Sequence, residues 1–198
     1  ILLKPNGVAT FEFPHLLKLV NENQFDTIYH EHFSYLSLTA LEAIFKENGL
    51  QIFDVEEHTT HGGSLRLFAQ RSDTGVQIVS EQVIKLRKRE MDAGMNSDNF
   101  YKNFQEKANI VKDDLLNFLI KAKQDGKKVV AYGAAAKGNT LLNYAGIRPD
   151  LLSYVVDKSP SKQGKYMPGS RIPIHTEQFL KNDKPDYVLI LPWNLKNE

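Results

Sequence analysis

Between Lys127 and Asn194, short runs rich in Val, Ile and Leu alternate with segments of helical period, and this alternation constrains the fold more than any other feature. "KKVVAY" reads as a strand and "GAAAKGNTLLNYAGI" as a small-residue turn opening a helix. "LLSYVVD" reads as a second strand ending at Asp157, "RIPIH" as a third, "TEQFLKN" as a helix capped by Thr176, and "DYVLILPWN" as a further strand. Strands that alternate with helices imply βαβ units and a parallel sheet.

The upstream pattern is different. "ILLKPNGVATFEF" reads as the end of a helix at Ile1 to Leu3, a turn at Pro5-Asn6-Gly7 and a strand from Val8 to Phe13, because Asn-Gly supplies the positive φ that turns need. Apolar Leu41, Ile44 and Phe45 predict a short amphipathic helix over Thr39 to Asn48, with Thr39 as N-cap and Gly49 as stop. Two alternating segments, Leu50 to His58 and Ser64 to Arg71, predict strands joined by "TTHGG". Helical spacing follows from Val76 to Gln124 with an interruption near "DAGMNSD", and the charged run "EQVIKLRKREMD" reads as a solvated helix face. A domain boundary is expected near Gly126, with the long helices packed between the halves.

At 198 residues the chain is long enough for one large or two modest α/β domains. Hydrophobic residues are 41% and no stretch approaches the roughly 20 apolar residues of a membrane span, so a soluble protein without membrane contact is expected. The net charge is +1 with the basic residues dispersed, which argues against a nucleic-acid partner. The absence of cysteine excludes disulfides, thiolate metal sites and cysteine nucleophiles, and fits an intracellular, cytoplasmic location. Neither end resembles a targeting peptide. Ile1 opens inside an apolar run without a methionine and Glu198 follows a strand-like segment, so the chain is expected to be a piece of a longer protein.

Three segments carry chemistry. "FDTIYHEHFSYLS" gathers Tyr29, His30, Glu31 and His32, a set suited to proton transfer: histidine titrates near neutrality, a carboxylate orients an imidazole, and a phenol donates to a developing oxyanion. The same histidines could cap loops, or bind a metal, His30 and His32 together with His58 and His61. In "HGGSLR" the glycines serve a hairpin turn, or let backbone approach a ligand beside Arg66. "YGAAAKGNT" has the context of a phosphate-binding turn, with Gly133 keeping the backbone accessible, a helix N-terminus and the charge of Lys137. Asp157 closes the next strand 24 residues after Gly133, where dinucleotide folds often place the acid that grips a ribose.

In order along essentially the whole chain, "LLKPNGVATFEFP", "FDTIYHEHFSYLS", "HGGSLR", "VVAYGAAAKGNTLLNYAGI", "DKSPSKQGKYMPG" and "PDYVLILPWN" resemble the nucleotide-sugar C-methyltransferases. The resemblance implies an N-terminal zinc-binding module, a central S-adenosylmethionine (SAM) domain and a C-terminal Rossmann-like domain, acting together on the carbon next to a keto group of a dTDP-linked deoxysugar. It places residues 1–75 at the end of a class I methyltransferase sheet (strand, helix, antiparallel hairpin), 76–126 as a helical connector, and 127–198 as a truncated Rossmann-like parallel α/β domain that binds the nucleotide-sugar. Most of the SAM site and the zinc would lie upstream, and the fragment by itself would be inactive. Tyr29, Glu31 and His32 match the family's catalytic element, while His30 falls at a variable position. The proton α to the ketone must leave to generate an enolate, for which His32 is the base, Glu31 its partner and Tyr29 a supporting hydroxyl, although sequence does not distribute these roles. The substrate-binding assignments are Gly133, Lys137, Asn139, Asp157, Arg66 and Asn194, with no metal ligand, no SAM ligand and a monomer expected. The alternative is a non-catalytic module that binds NAD or a CoA-like ligand.

Overall fold

The computed structural model describes residues 3–196. Ile1 and Leu2, part of the helix end expected there, lie outside the described residues. Two compact units result, each discontinuous in sequence: residues 3–24 with 33–104, and residues 25–32 with 105–196.

The first unit contains strand β1 (Val8–Pro14), helix α1 (Leu16–Asn21), helix α2 (Leu38–Glu47), strands β2 (Leu50–His58) and β3 (Ser64–Arg71), and helix α3 (Glu81–Asp92). The sheet is antiparallel in the order β1-β3-β2, so the hairpin's second strand sits in the centre. The hairpin spans the residues that alternation predicts. Its turn needs Gly63, which adopts φ +116°. Buried Leu65, Leu67 and Ala69 share one face of β3 and pack with Leu38, Leu41 and Phe45 of α2 and Val83 and Leu86 of α3. Two expectations are corrected. The N-cap of α2 is Ser37, whose hydroxyl accepts from the Ala40 amide, while Thr39 bonds a carboxylate on α3. That carboxylate is Glu90, fully buried within the run read as a solvated face.

The second unit holds the helix α4 (Phe104–Gln124), β4 (Val129–Tyr132), α5 (Ala136–Tyr144), β5 (Val155–Val156), β6 (Ile174–His175), α6 (Glu177–Asp183) and β7 (Tyr187–Ile190). The strands form a parallel sheet in the order β6-β5-β4-β7. Thr176 caps α6 as predicted, accepting from the Phe179 amide. The core joins Leu119 and Ala122 of α4 to Val129, Ala131, Leu142, Val155, Ile174 and Leu191. Of the stretch 76–126, α3 therefore supplies core to the first unit and α4 to the second. The molecule is an α/β protein built from an antiparallel three-stranded sheet and a parallel four-stranded one. Among the described residues no helix is long and apolar enough to cross a membrane.

Candidate functional site

The parallel order of the second unit reverses between β4 and β7, so its loops after β4, β5 and β7 emerge at one edge, where open α/β sheets place ligands. Gly133 makes the turn after β4 at φ +91°, and a Cβ there would stand 2.5 Å from Pro192 Cδ. The turn is therefore closed by the β7 loop. Its other side opens on a cavity of about 350 Å³, lined by Ala135, Ala136, Asn139 and Thr140 of α5 and its approach, Ser161, Lys162, Lys165 and Tyr166 of the following loop, and Tyr29 and His30. No side chain caps the start of α5, and its first turn carries no acid. Those amides and Lys165 favour an anion on this face, where Lys162 is paired with Asp157.

Residues 25–32, remote in sequence, fold onto this unit. Phe25–Thr27 form a single 3-10 turn, with the Phe25 ring 5.3 Å from that of Tyr144. The Ile28 amide donates to the Phe25 carbonyl at 3.0 Å, and the His32 amide to the Tyr29 carbonyl at 3.0 Å. His32 Nδ1 lies 3.0 Å from the Thr27 carbonyl oxygen. A carbonyl only accepts, so Nδ1 carries the proton in that bond, and in the neutral ring Nε2 is then the acceptor nitrogen. The Tyr29 ring lies 4.6 Å from the imidazole. Tyr29 and His32 are half-buried, while His30 and Glu31 are exposed.

The other sequence-assigned residues fall into distinct settings. Asn139 lines the cavity; Lys137 does not. The Lys137 side chain is buried, its ammonium 4.5 Å from the centre of the Trp193 ring and donating to Asn194 Oδ1 at 3.1 Å. Burial lowers its pKa, against the opposing effect of the Asp26 charge. Asp157 holds the turn together: it accepts from the Ala134 amide at 2.8 Å, the Ser159 amide at 2.8 Å and Lys162 Nζ at 3.2 Å. Burial acts to raise its pKa, but these donors prevail and hold it below the ordinary carboxylate range. Arg66, in the first unit, bonds Glu12 at 2.8 Å and Glu56 at 3.3 Å across the sheet. Among the described residues no three histidine, aspartate or glutamate side chains assemble as a metal site.

Sequence reasoning missed Asp26, Trp193, Lys162 and Lys165. The signal for the lysines was present in "SKQGKY", a basic loop after the second parallel strand.

A model for the C-methyltransferase C-terminal domain matches residues 59–198. The C-methyltransferase NovU of Streptomyces niveus is 37% identical over 197 residues, covering all of this chain and 47% of that relative. The chain thus spans about half the relative's length, and by the domain match it belongs to the C-methyltransferase C-terminal domain family.

Proposed function

We propose that this chain is the C-terminal portion of a SAM-dependent C-methyltransferase that acts, through an enolate, on a carbon adjacent to the keto group of a dTDP-linked deoxysugar. The observation that carries the reading is the packing of the Tyr29–His32 segment beside a basic cavity within one unit. A nucleotide held there keeps its sugar near proton-handling groups. Lys162, Lys165 and the first amides of α5 hold the diphosphate, and Asn139 and Tyr29 flank it. Arg66 is engaged by Glu12 and Glu56, and the Asp157 carboxylate by the Ala134 and Ser159 amides and Lys162, so we assign neither to the diphosphate.

His32 takes the α-proton at Nε2, with the Thr27 carbonyl fixing the tautomer. Glu31 supplies negative charge next to the imidazolium that forms, and the Tyr29 hydroxyl supports the enolate oxygen. SAM supplies the methyl group in this chemistry, but the described residues do not fit it. The first unit is an antiparallel sheet, and the turn at Gly133 is filled by Pro192. The proton and the oxyanion are what this chain handles.

A dinucleotide would straddle the crevice between β4 and β7, where Pro192 abuts Gly133, and this favours a nucleotide-sugar over NAD. Thermal denaturation with dTDP, a dTDP-sugar, NAD and CoA tests the choice, since a ligand at 100 times its Kd stabilises by about 2.7 kcal/mol. Stabilisation by the thymidine nucleotides is expected. Stabilisation by NAD or CoA alone would establish the non-catalytic module instead.

A further inference from the structure

Asp26 is buried one residue before the carbonyl that binds His32. A buried carboxylate is costly unless paired, and an apolar residue would fill the space more simply. Its partners come from two distant segments. Trp193 Nε1, in the loop after β7, donates to Asp26 Oδ2 at 2.7 Å. Lys137, on the first turn of α5, lies over the same indole ring and acts on Asp26 through its charge. Burial raises the Asp26 pKa, while the Trp193 bond and the Lys137 charge work to keep it ionised.

We infer that Asp26 is a positioning residue for His32: locked between Trp193 and Lys137, its carboxylate fixes the 3-10 turn whose Thr27 carbonyl orients the imidazole. The Thr27 carbonyl and the Ile28 amide share a peptide plane, and the bond from that amide to the Phe25 carbonyl closes the turn, leaving the Thr27 carbonyl little freedom. The cluster also joins this turn to α5, whose start lines the cavity. The segment bearing the base and the helix facing the nucleotide are thus held by one buried set of charges. This rests on the reading of His32 as the base.

Two variants in the complete enzyme test it. Asp26→Asn keeps the shape and an oxygen for the indole N–H but removes the charge facing Lys137. Trp193→Phe removes the N–H donor and keeps a ring beneath the ammonium. Each is expected to lower kcat by about 10–100-fold, the usual effect of removing an outer partner of a functional side chain. KM for the dTDP-sugar and the affinity for dTDP should stay within about two-fold, because the cavity residues are untouched. In ¹⁵N-imidazole spectra the His32 signals should move from a single Nδ1–H tautomer toward a mixture. A lowered melting temperature with kcat and the His32 signals unchanged would make the cluster structural only and overturn the inference. If Asp26→Asn does not fold, Trp193→Phe, which leaves both charges in place, carries the same measurements. Normal turnover in His32→Ala would defeat the base assignment alone, and the imidazole spectra would still decide whether Asp26 orients it.

Discussion

Glu90 and His15, 75 residues apart in sequence, meet in the interior of the first unit with Oε1 2.8 Å from Nε2. The same carboxylate accepts from the Leu38 amide at 2.9 Å, the Thr39 amide at 2.8 Å and the Thr39 hydroxyl at 2.6 Å. One side chain on α3 thereby satisfies amides at the start of α2 that have no partner within the helix, and anchors the residue before α1.

This carboxylate makes the first unit acid-sensitive. Burial acts to raise the Glu90 pKa, but the donors from His15, Thr39 and Leu38 outweigh it and the folded-state value is lowered. A lowered folded-state pKa means stability that is present above the unfolded value and is lost as pH falls through the folded one. Melting temperature should therefore fall below about pH 4.5, the ordinary glutamate value. Glu90→Gln turns an amide NH₂ toward these donors and should cost roughly 3–5 kcal/mol at neutral pH, with a flatter acid limb. An unchanged melting curve would show that the buried cluster contributes nothing net.

The turn at Gly133 makes a second prediction. An alanine there would be strained at φ +91°, which glycine adopts freely, and would place a Cβ 2.5 Å from Pro192 Cδ. Gly133→Ala should destabilise the second unit by about 1–3 kcal/mol. Pro192→Gly in the same chain removes the clash but not the backbone strain, so it should recover part of the loss in a double-mutant cycle. Full additivity of the two changes would mean that the loops are not in contact.

What could be read in the sequence were the features fixed by local periodicity. The hairpin strands Leu50–His58 and Ser64–Arg71 follow from alternation, and the parallel unit from strands separated by helices. The residues that were misplaced depend on partners far away in sequence. Glu90 sits in a charged run and looks solvated, yet its donors come from residues 15, 38 and 39. Lys137 opens a helix and looks like an anion ligand from sequence, while its burial against Trp193 and its bond to Asn194 were not legible there. Short strands such as Val155–Val156 carry too few residues to fix their own bounds. The set at Tyr29 to His32 was legible as chemistry, but its membership of the second unit was not.

The cavity lysines provide a third prediction. Lys162 bonds the Ala134 carbonyl at 2.9 Å and Asp157 at 3.2 Å, whereas Lys165 is exposed at the rim. Each of Lys162→Ala and Lys165→Ala should weaken dTDP binding by the loss of a charge-assisted contact, about 1.5–3 kcal/mol by titration calorimetry. Lys162→Ala should also lower the melting temperature, because it removes a tie between the turn and Asp157, while Lys165→Ala should not. Unchanged affinity in both variants would move the diphosphate to the Lys137 side of α5.

The fourth prediction tests the base directly in the complete enzyme. With Nδ1 donating to the Thr27 carbonyl, Nε2 is the nitrogen through which His32 would act as the proposed base, and the Tyr29 ring packs against the imidazole. His32→Ala should lower kcat by about 10²–10⁴, the usual contribution of a general base, with little change in dTDP-sugar affinity, because the proposed nucleotide site is formed by other residues of the cavity lining, Lys162, Lys165 and α5. Exchange of the α-proton with solvent should fall in parallel, since that step precedes methyl transfer. Glu31→Gln and Tyr29→Phe should each cost less, because they alter charge or hydrogen bonding around the base and leave the base itself. Normal exchange in His32→Ala would place the base elsewhere in the protein and leave His32 a structural link between Thr27 and Tyr29.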